Sequence, residues 1–352
     1  MATGYFGMGP ETRAFEYEIE SYIGAGRNVR CVNSGTAALQ LAVVALGLVA
    51  GDEVLVPTLT FVASFQAVAA AGAIPVACDV RSDNGLLDLD DARRRVSRRT
   101  RAVMPVHYAG NPGDLHSVYE FAAQYGLRVV EDAAHAFGSQ MRDGLVGGSG
   151  DLVCFSFDPI KNITCGQGGA VVSASETIAA RVGEMRNLGI ETLPGADFEV
   201  SSLGWRFEMS DLMAAVGRAQ LKRFETVLKP ARQALAAAYR TRLSSIRGVT
   251  LLDCEPGAVQ HIFPVRVRPE RRAAIRVALS EAGYETRVHY KPNHFLRKFA
   301  DGGTRAVAES LYQELLTLPT HADVGDKDVE EIARVLEKHA GTGAHPARPG
   351  GA

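Results

Sequence analysis

The sequence predicts an α/β protein in which a large, mostly parallel sheet covered by helices is followed by a smaller C-terminal α/β domain. Between Val29 and Val172, short β-branched runs alternate with helix-like stretches, the pattern of parallel strands joined by helical crossovers. A long helical stretch over 208–243 then leads into a second, shorter set of strand-like segments. The scale agrees: 352 residues, 46% hydrophobic and 22% charged, suffice for one large core and a smaller one.

The strand candidates, in order, are "VRCVN" (29–33), "EVLVP" (53–57), "IPVACDV" (74–80), "RAVMPVH" (101–107), "LRVVED" (127–132), "LVCFSF" (152–157) and "GGAVVS" (168–173). Each is a short apolar run bounded by turn residues. Helix candidates begin near Thr36, Thr60, Asp88 and Asp114, residue types that can cap a helix N-terminus. Pro159 breaks the chain after the sixth strand. In the C-terminal region strands are predicted near 249–253, 261–268 and 284–290. This gives a large domain over 1–228, a small one over 229–340 and, over 341–352, a tail of linker composition that is expected to be disordered.

Composition narrows the function classes. A net charge of −2, with the arginines of "DDARRRVSRRTR" (90–101) set beside acids, offers no nucleic-acid or membrane surface. The N-terminus lacks a basic start and an apolar core, so no signal peptide is expected. The longest apolar run (39–50) is too short to span a bilayer. Five scattered cysteines suit a reducing cytoplasm better than a disulfide framework or a zinc site.

Ligands of open parallel sheets bind beyond the carboxyl ends of the strands. "NSGTAAL" (33–39) follows the first strand: Gly35 and Thr36 open a helix whose free amides and dipole favour a phosphate, although such residues are often plain caps. "EDAAHAFG" (131–138) puts Asp132 at a strand terminus, where a carboxylate either caps the chain or keeps a pyridine nitrogen protonated. His135 could meet a ring oxygen or be an ordinary core histidine. "FSFDPIKNITCGQGG" (155–169) holds one lysine between two core strands. Isolated lysines are ordinarily solvated. One pressed against a core loses its proton more easily, and the neutral amine attacks carbonyls. Ser156, Lys161, Asp132, Gly35 and Thr36 together supply a phosphate cradle, an acid for a pyridinium and an amine for an aldehyde, the requirements of pyridoxal 5'-phosphate.

From "GMGPETRAFE" to "LPTHADVGDKDVEEIARVL" the chain resembles the DegT/DnrJ/StrS family of pyridoxal-phosphate-dependent sugar aminotransferases, which have the aspartate-aminotransferase-like fold (fold type I). The resemblance rests on "NSGTAALQLAVVALGL", "GDEVLVPTLTFVASFQAVAAAGAIPVACDV", "RAVMPVHYAGNPGDLHSV", "VVEDAAHAFGS", "CFSFDPIKN" and "MSDLMAAVGRAQL", six blocks in family order. It implies that Lys161 forms the Schiff base with the cofactor and later shuttles a proton, and that Asp132 pairs with the pyridine nitrogen. It further implies that His135, often Gln in relatives, approaches the ring's 3-hydroxyl. Gly35, Thr36 and Ser156 would hold the phosphate and Phe61 would stack on the ring. Tyr290 and His294, in "YKPNHF", would lie near the sugar. Arg206, in "GWRFEMSD", stands where relatives place an Asn or Lys that reaches the partner subunit's cofactor phosphate, which implies a homodimer. "GQGG" (166–169) replaces the commoner Gly-Glu-Gly-Gly, and nothing in the sequence explains Gln167.

The implied reaction moves an amino group, from L-glutamate, to a 3-keto or 4-keto group of a dTDP- or UDP-linked deoxysugar in amino sugar biosynthesis. An aminocyclitol aminotransferase is a narrower alternative. A sugar dehydratase on the same scaffold would carry His in place of Lys161, and a non-catalytic binding protein would lack the Lys or the Asp.

Overall fold

Seven strands form the central sheet of the computed structural model, which describes residues 4, 6–24, 26–193 and 197–341. Their order across the sheet is Asn28–Val32, Gly169–Ser173, Leu152–Ser156, Arg128–Asp132, Thr100–Val103, Glu53–Pro57 and Ile74–Cys78. Glu53–Pro57, Leu152–Ser156 and Gly169–Ser173 are buried at every residue, as expected of strands covered on both faces. One face packs helices Gly35–Ala45, Val62–Ala70 and Glu176–Met185 against the sheet through Leu41, Phe65 and Val182. The opposite face carries Pro10–Ile23 and Asp211–Arg223 through Phe15, Ile19 and Ala214, and Leu115–Tyr125 through Phe121.

The helices start where the sequence supplies caps. Ser34 Oγ accepts from the Ala37 amide, Asp88 from the amides of Asp90 and Asp91, and Asp114 from the Ser117 amide. Between Val29 and Val172 the parallel pattern has one exception, because Gly169–Ser173 runs antiparallel to both neighbours. The connection from Ser156 to Gly169 contains no helix, so the chain has no crossover and turns back beside the strand it has just left. Lys161 lies in that return.

The predicted helical stretch over 208–243 resolves into Asp211–Arg223, a π-helical turn at Phe224–Leu228 and Lys229–Leu243, whose first turn holds Pro230. Beyond it, Val249–Leu251, Phe263–Val267 and Leu315–Leu318 form an antiparallel three-stranded sheet packed on Lys229–Leu243, Pro269–Glu281 and Asp326–Ala340. The strand expected at 284–290 does not form. Arg287 makes one isolated bridge to Thr317, and the third place in the sheet belongs to the fully buried run Leu315–Leu318. Three leucines pointing into the core outcompete the alternating, largely polar segment. From 342 onward the expected disordered tail lies outside the described residues. Among the described residues no helix is long and apolar enough to cross a membrane.

Candidate active site

Strand Arg128–Asp132 delivers Asp132 to the carboxyl edge of the sheet, where it is 5% exposed. Its Oδ2 accepts a 2.7 Å hydrogen bond from Ser64 Oγ and its Oδ1 a 3.2 Å one from the Ala134 amide. Burial pushes the carboxyl upward from its ordinary value, and the bonds from Ser64 and Ala134, with the fields of Lys161 and His107, pull it back. No ion pair holds Asp132 among the described residues, so it is a buried carboxylate oriented by neutral donors. Behind it, the buried His107 Nε2 lies 2.9 Å from Glu131 Oε2, and the His107 amide donates to the Asp132 carbonyl.

Lys161 is fixed by its neighbour. Asn162 Nδ2 donates to the carbonyls of His135, Phe137 and Val259 at 3.0 to 3.3 Å, which pins the return between the two strands to the Asp132 loop. The Lys161 carbonyl accepts from Arg232 Nη2 at 3.1 Å, and its Nζ lies 3.5 Å from His261 Nε2. Burial lowers the ammonium from 10.5 to about 8, although Asp132 and Asp158 act in the opposite direction. The amine is therefore available in its neutral form near physiological pH.

His135 is buried. Its Nε2 lies 3.0 Å from the Tyr290 hydroxyl, and its Nδ1 is buried without a partner. Burial, with Lys161 and His261 nearby, pushes its imidazolium well below the usual range, so the ring is neutral. Phe61 precedes helix Val62–Ala70 and leaves 56% of its surface exposed, with its ring 5.8 Å from that of Tyr290. An aromatic ring left open beside Lys161's neighbours offers a face on which a planar ligand can stack.

At the other end, Ser34 caps helix Gly35–Ala45 through the Ala37 amide, leaving the amides of Gly35 and Thr36 without an acceptor among the described residues. A Cβ added to Gly35 would sit 2.7 Å from Ser156 Cβ, so glycine is what lets the helix start approach the end of strand Leu152–Ser156. Arg206 is exposed, and its carbonyl accepts from Asn33 Nδ2 at 3.2 Å. It lines an open groove of about 700 Å³ with Asn33, Ser34, Asp158 and Gln167.

His294 is not part of this cluster. Its Nδ1 is 2.8 Å from Thr58 Oγ1 and its Nε2 is 3.2 Å from Glu309 Oε1, while Asn293 Nδ2 donates to the carbonyls of Thr58 and Thr60. Both ring nitrogens are engaged in bracing the loop that carries Phe61. Three residues that the sequence reading did not single out do join the cluster: Ser64, His261 and Arg232. Ser64 lies three residues beyond Phe61, a helical spacing that could have suggested it.

The donor set fits pyridoxal phosphate at each point. The Gly35 and Thr36 amides with Ser156 suit the phosphate, buried Asp132 suits a protonated pyridine nitrogen, His135 keeps a buried Nδ1 without a partner, and Lys161 is an amine with a lowered pKa. Fold and site together fit a pyridoxal-phosphate enzyme built on a large, mostly parallel sheet. The chain matches the DegT/DnrJ/EryC1/StrS aminotransferase family over residues 1–337, and it belongs to that family. It is 37% identical over 327 residues to the dTDP-3-amino-3,4,6-trideoxy-alpha-D-glucose transaminase of Streptomyces venezuelae, covering 90% of this chain and 84% of that one. It is 32% identical over 351 residues to the dTDP-4-dehydro-2,3,6-trideoxy-D-glucose 4-aminotransferase of Saccharopolyspora spinosa, covering 96% and 91%. Among solved structures, NtdA of Bacillus subtilis with bound cofactor PMP superposes with a TM-score of 0.87 at 29% identity, covering 96% of this chain and 79% of that one. The protein is a pyridoxal-phosphate-dependent aminotransferase with the aspartate-aminotransferase-like fold.

Proposed function

We propose that the enzyme transfers an amino group from L-glutamate to C3 or C4 of a dTDP- or UDP-linked ketodeoxysugar. The names of the two curated relatives support the substrate class, since one refers to a 3-amino and the other to a 4-dehydro dTDP sugar. The observation that carries the reading is the presence together of a buried amine of lowered pKa, Lys161, and a buried carboxylate, Asp132, that makes no ion pair among the described residues.

When bound, the cofactor supplies an aldehyde that captures the amino group and a protonated ring that takes up electrons from the donor's α-carbon. The protein's own residues do the rest. Lys161 Nζ, neutral above about pH 8, would accept the proton leaving the donor's α-carbon and hand it on to the cofactor carbon that takes up the amino group. Asp132, locked by Ser64 Oγ, keeps the ring nitrogen protonated without moving. His135 and Tyr290, both held neutral by burial, offer a hydrogen bond to the ring's oxygen without adding charge. Phe61 covers one face of the ring and keeps water from it. To test this, purified enzyme supplied with glutamate would be offered a panel of dTDP- and UDP-ketosugars and a keto-inositol, with amino product and 2-oxoglutarate measured by mass spectrometry. Stoichiometric formation of both from a nucleotide ketosugar is expected. Turnover confined to the keto-inositol would contradict the assignment.

The working unit is a cytoplasmic homodimer, in which Arg206 reaches the partner's cofactor phosphate, and the large and small domains divide near residue 228. Exposed apolar side chains around Arg206 support the dimer: Phe198 and Val200 on the Ile190–Thr192 and Phe198–Val200 hairpin, and Leu203, which is 76% exposed. Sedimentation should give a dimer, and Arg206→Ala should weaken cofactor retention while leaving the fold intact. A fully active monomer would overturn this part.

A further inference from the structure

The C-terminal side of Lys161 is walled by basic groups. His261, 3% exposed, has its Nε2 3.5 Å from Lys161 Nζ, and its ring centroid is 4.6 Å from that of His135. Arg232, from the first turn of helix Lys229–Leu243, donates to the Lys161 carbonyl at 3.1 Å. Arg27 likewise donates to a carbonyl, that of Gly150, while other buried arginines meet acids: Arg186 meets Glu16, Arg305 meets Asp301 and Arg95 meets Asp91. Arg232 meets none among the described residues, and burial alone lowers its pKa. The charged groups acting on His261 are Lys161, Arg232 and His289, every one a base, and its Nδ1 is buried without a partner. Among the described residues Arg232 reaches the Lys161 carbonyl but no carboxylate meets Arg232 or His261, and a desolvated guanidinium without a counter-charge is costly unless an anion completes it.

Three kinds of anion visit this site during transamination: the cofactor's phosphate, a nucleotide diphosphate and the carboxylates of the donor. The cofactor's phosphate is accounted for by Gly35, Thr36 and Ser156. A nucleotide sugar's diphosphate is separated from its keto carbon by the sugar ring. The carboxylate of an amino acid donor is attached directly to the carbon whose proton Lys161 removes, so it must lie beside Lys161 Nζ, where His261 stands.

We propose that His261 and Arg232 form the subsite that seats the α-carboxylate of the amino donor against Lys161. The inference rests on the reading that the donor is an amino acid such as glutamate. Arg232 supplies the charge and the planar fork suited to a carboxylate, and His261 Nε2 the second contact. Both come from beyond residue 228 while Lys161 comes from before it, so the donor's carboxylate would bridge the two parts of the chain.

The test is titration calorimetry of glutarate, a dicarboxylate with no amino group to react, into the holoenzyme, together with separate kinetics of the glutamate and ketosugar half-reactions. Arg232→Met should weaken glutarate by roughly tenfold or more, the loss expected for one charge-assisted hydrogen bond, and Arg232→Lys should weaken it less. The KM for glutamate should rise in parallel, with the ketosugar KM unchanged. Should Arg232→Met fail to fold, His261→Asn carries the test with the same expected shift. Wild-type affinity for glutarate in both variants would overturn the proposal. So would a loss confined to the ketosugar half-reaction, which would assign the wall to the diphosphate. Wild-type enzyme that binds glutarate in an Arg232-dependent way but takes no amino group from glutamate would contradict the donor assignment and leave the carboxylate subsite supported.

Discussion

Replacing Lys161 by methionine should stabilise the cofactor-free protein at neutral pH, and by an amount the structure sets. Burial lowers the Lys161 ammonium from 10.5 to about 8. At about 1.4 kcal/mol per pH unit, holding that amine protonated in the folded state costs roughly 3 kcal/mol below pH 8. The folded pKa is depressed, so between pH 8 and 10.5 the unfolded chain holds a proton that the folded chain has released. Wild-type stability therefore gains this contribution as pH rises through that window, and above it the cost is gone. Methionine fills similar space with a flexible apolar side chain and carries no charge. The assay is guanidinium denaturation of both proteins, stripped of cofactor, at pH 7, 9 and 10.5. The variant should be more stable by roughly 3 kcal/mol at pH 7, with the difference shrinking as the pH approaches 10.5. A difference near zero at pH 7, or one that does not change with pH, would show that Lys161 is solvated and would refute the reasoning behind its neutral amine.

Two further outcomes follow from the site. Asp132→Asn should fold and retain cofactor yet lose about a hundred- to a thousand-fold in turnover, because the ring nitrogen loses its carboxylate partner; wild-type turnover in steady-state assays would make Asp132 merely structural. Gly35→Ala should sharply weaken cofactor affinity, measured by equilibrium dialysis, because its Cβ would sit 2.7 Å from Ser156 Cβ and close the cradle, and unchanged affinity would place the phosphate elsewhere.

Much of this was legible in the sequence where burial is uniform. Glu53–Pro57 matches its prediction residue for residue, and Leu152–Ser156 and Gly169–Ser173 fall within one residue, because runs buried on both faces leave an uninterrupted apolar signature. Leu315–Leu318 escaped because it follows helix Ala306–Glu314 with no turn residue between them, and the alternation at 284–290 imitated a strand. In the site, Asp132 stood out because it ends a strand and Lys161 because it lies in the short return between two core strands. Ser64, His261 and Arg232 did not. Their contacts cross 68 residues to Asp132 and 100 and 71 residues to Lys161, separations no local pattern encodes. His294 was placed near the sugar by the family resemblance alone, and only the tertiary contacts to Thr58 and Glu309 give it a bracing role.

The claim on which everything else depends is that Lys161 carries the cofactor. Borohydride reduction of the holoenzyme fixes a lysine-bound pyridoxal group as a stable secondary amine, and mass spectrometry of the digested protein locates it. The pyridoxyl mass is expected on the peptide containing Lys161, and nowhere on the protein once Lys161 is replaced by alanine. A label found on any other lysine of the wild-type enzyme would contradict the site described here and the mechanism built on it.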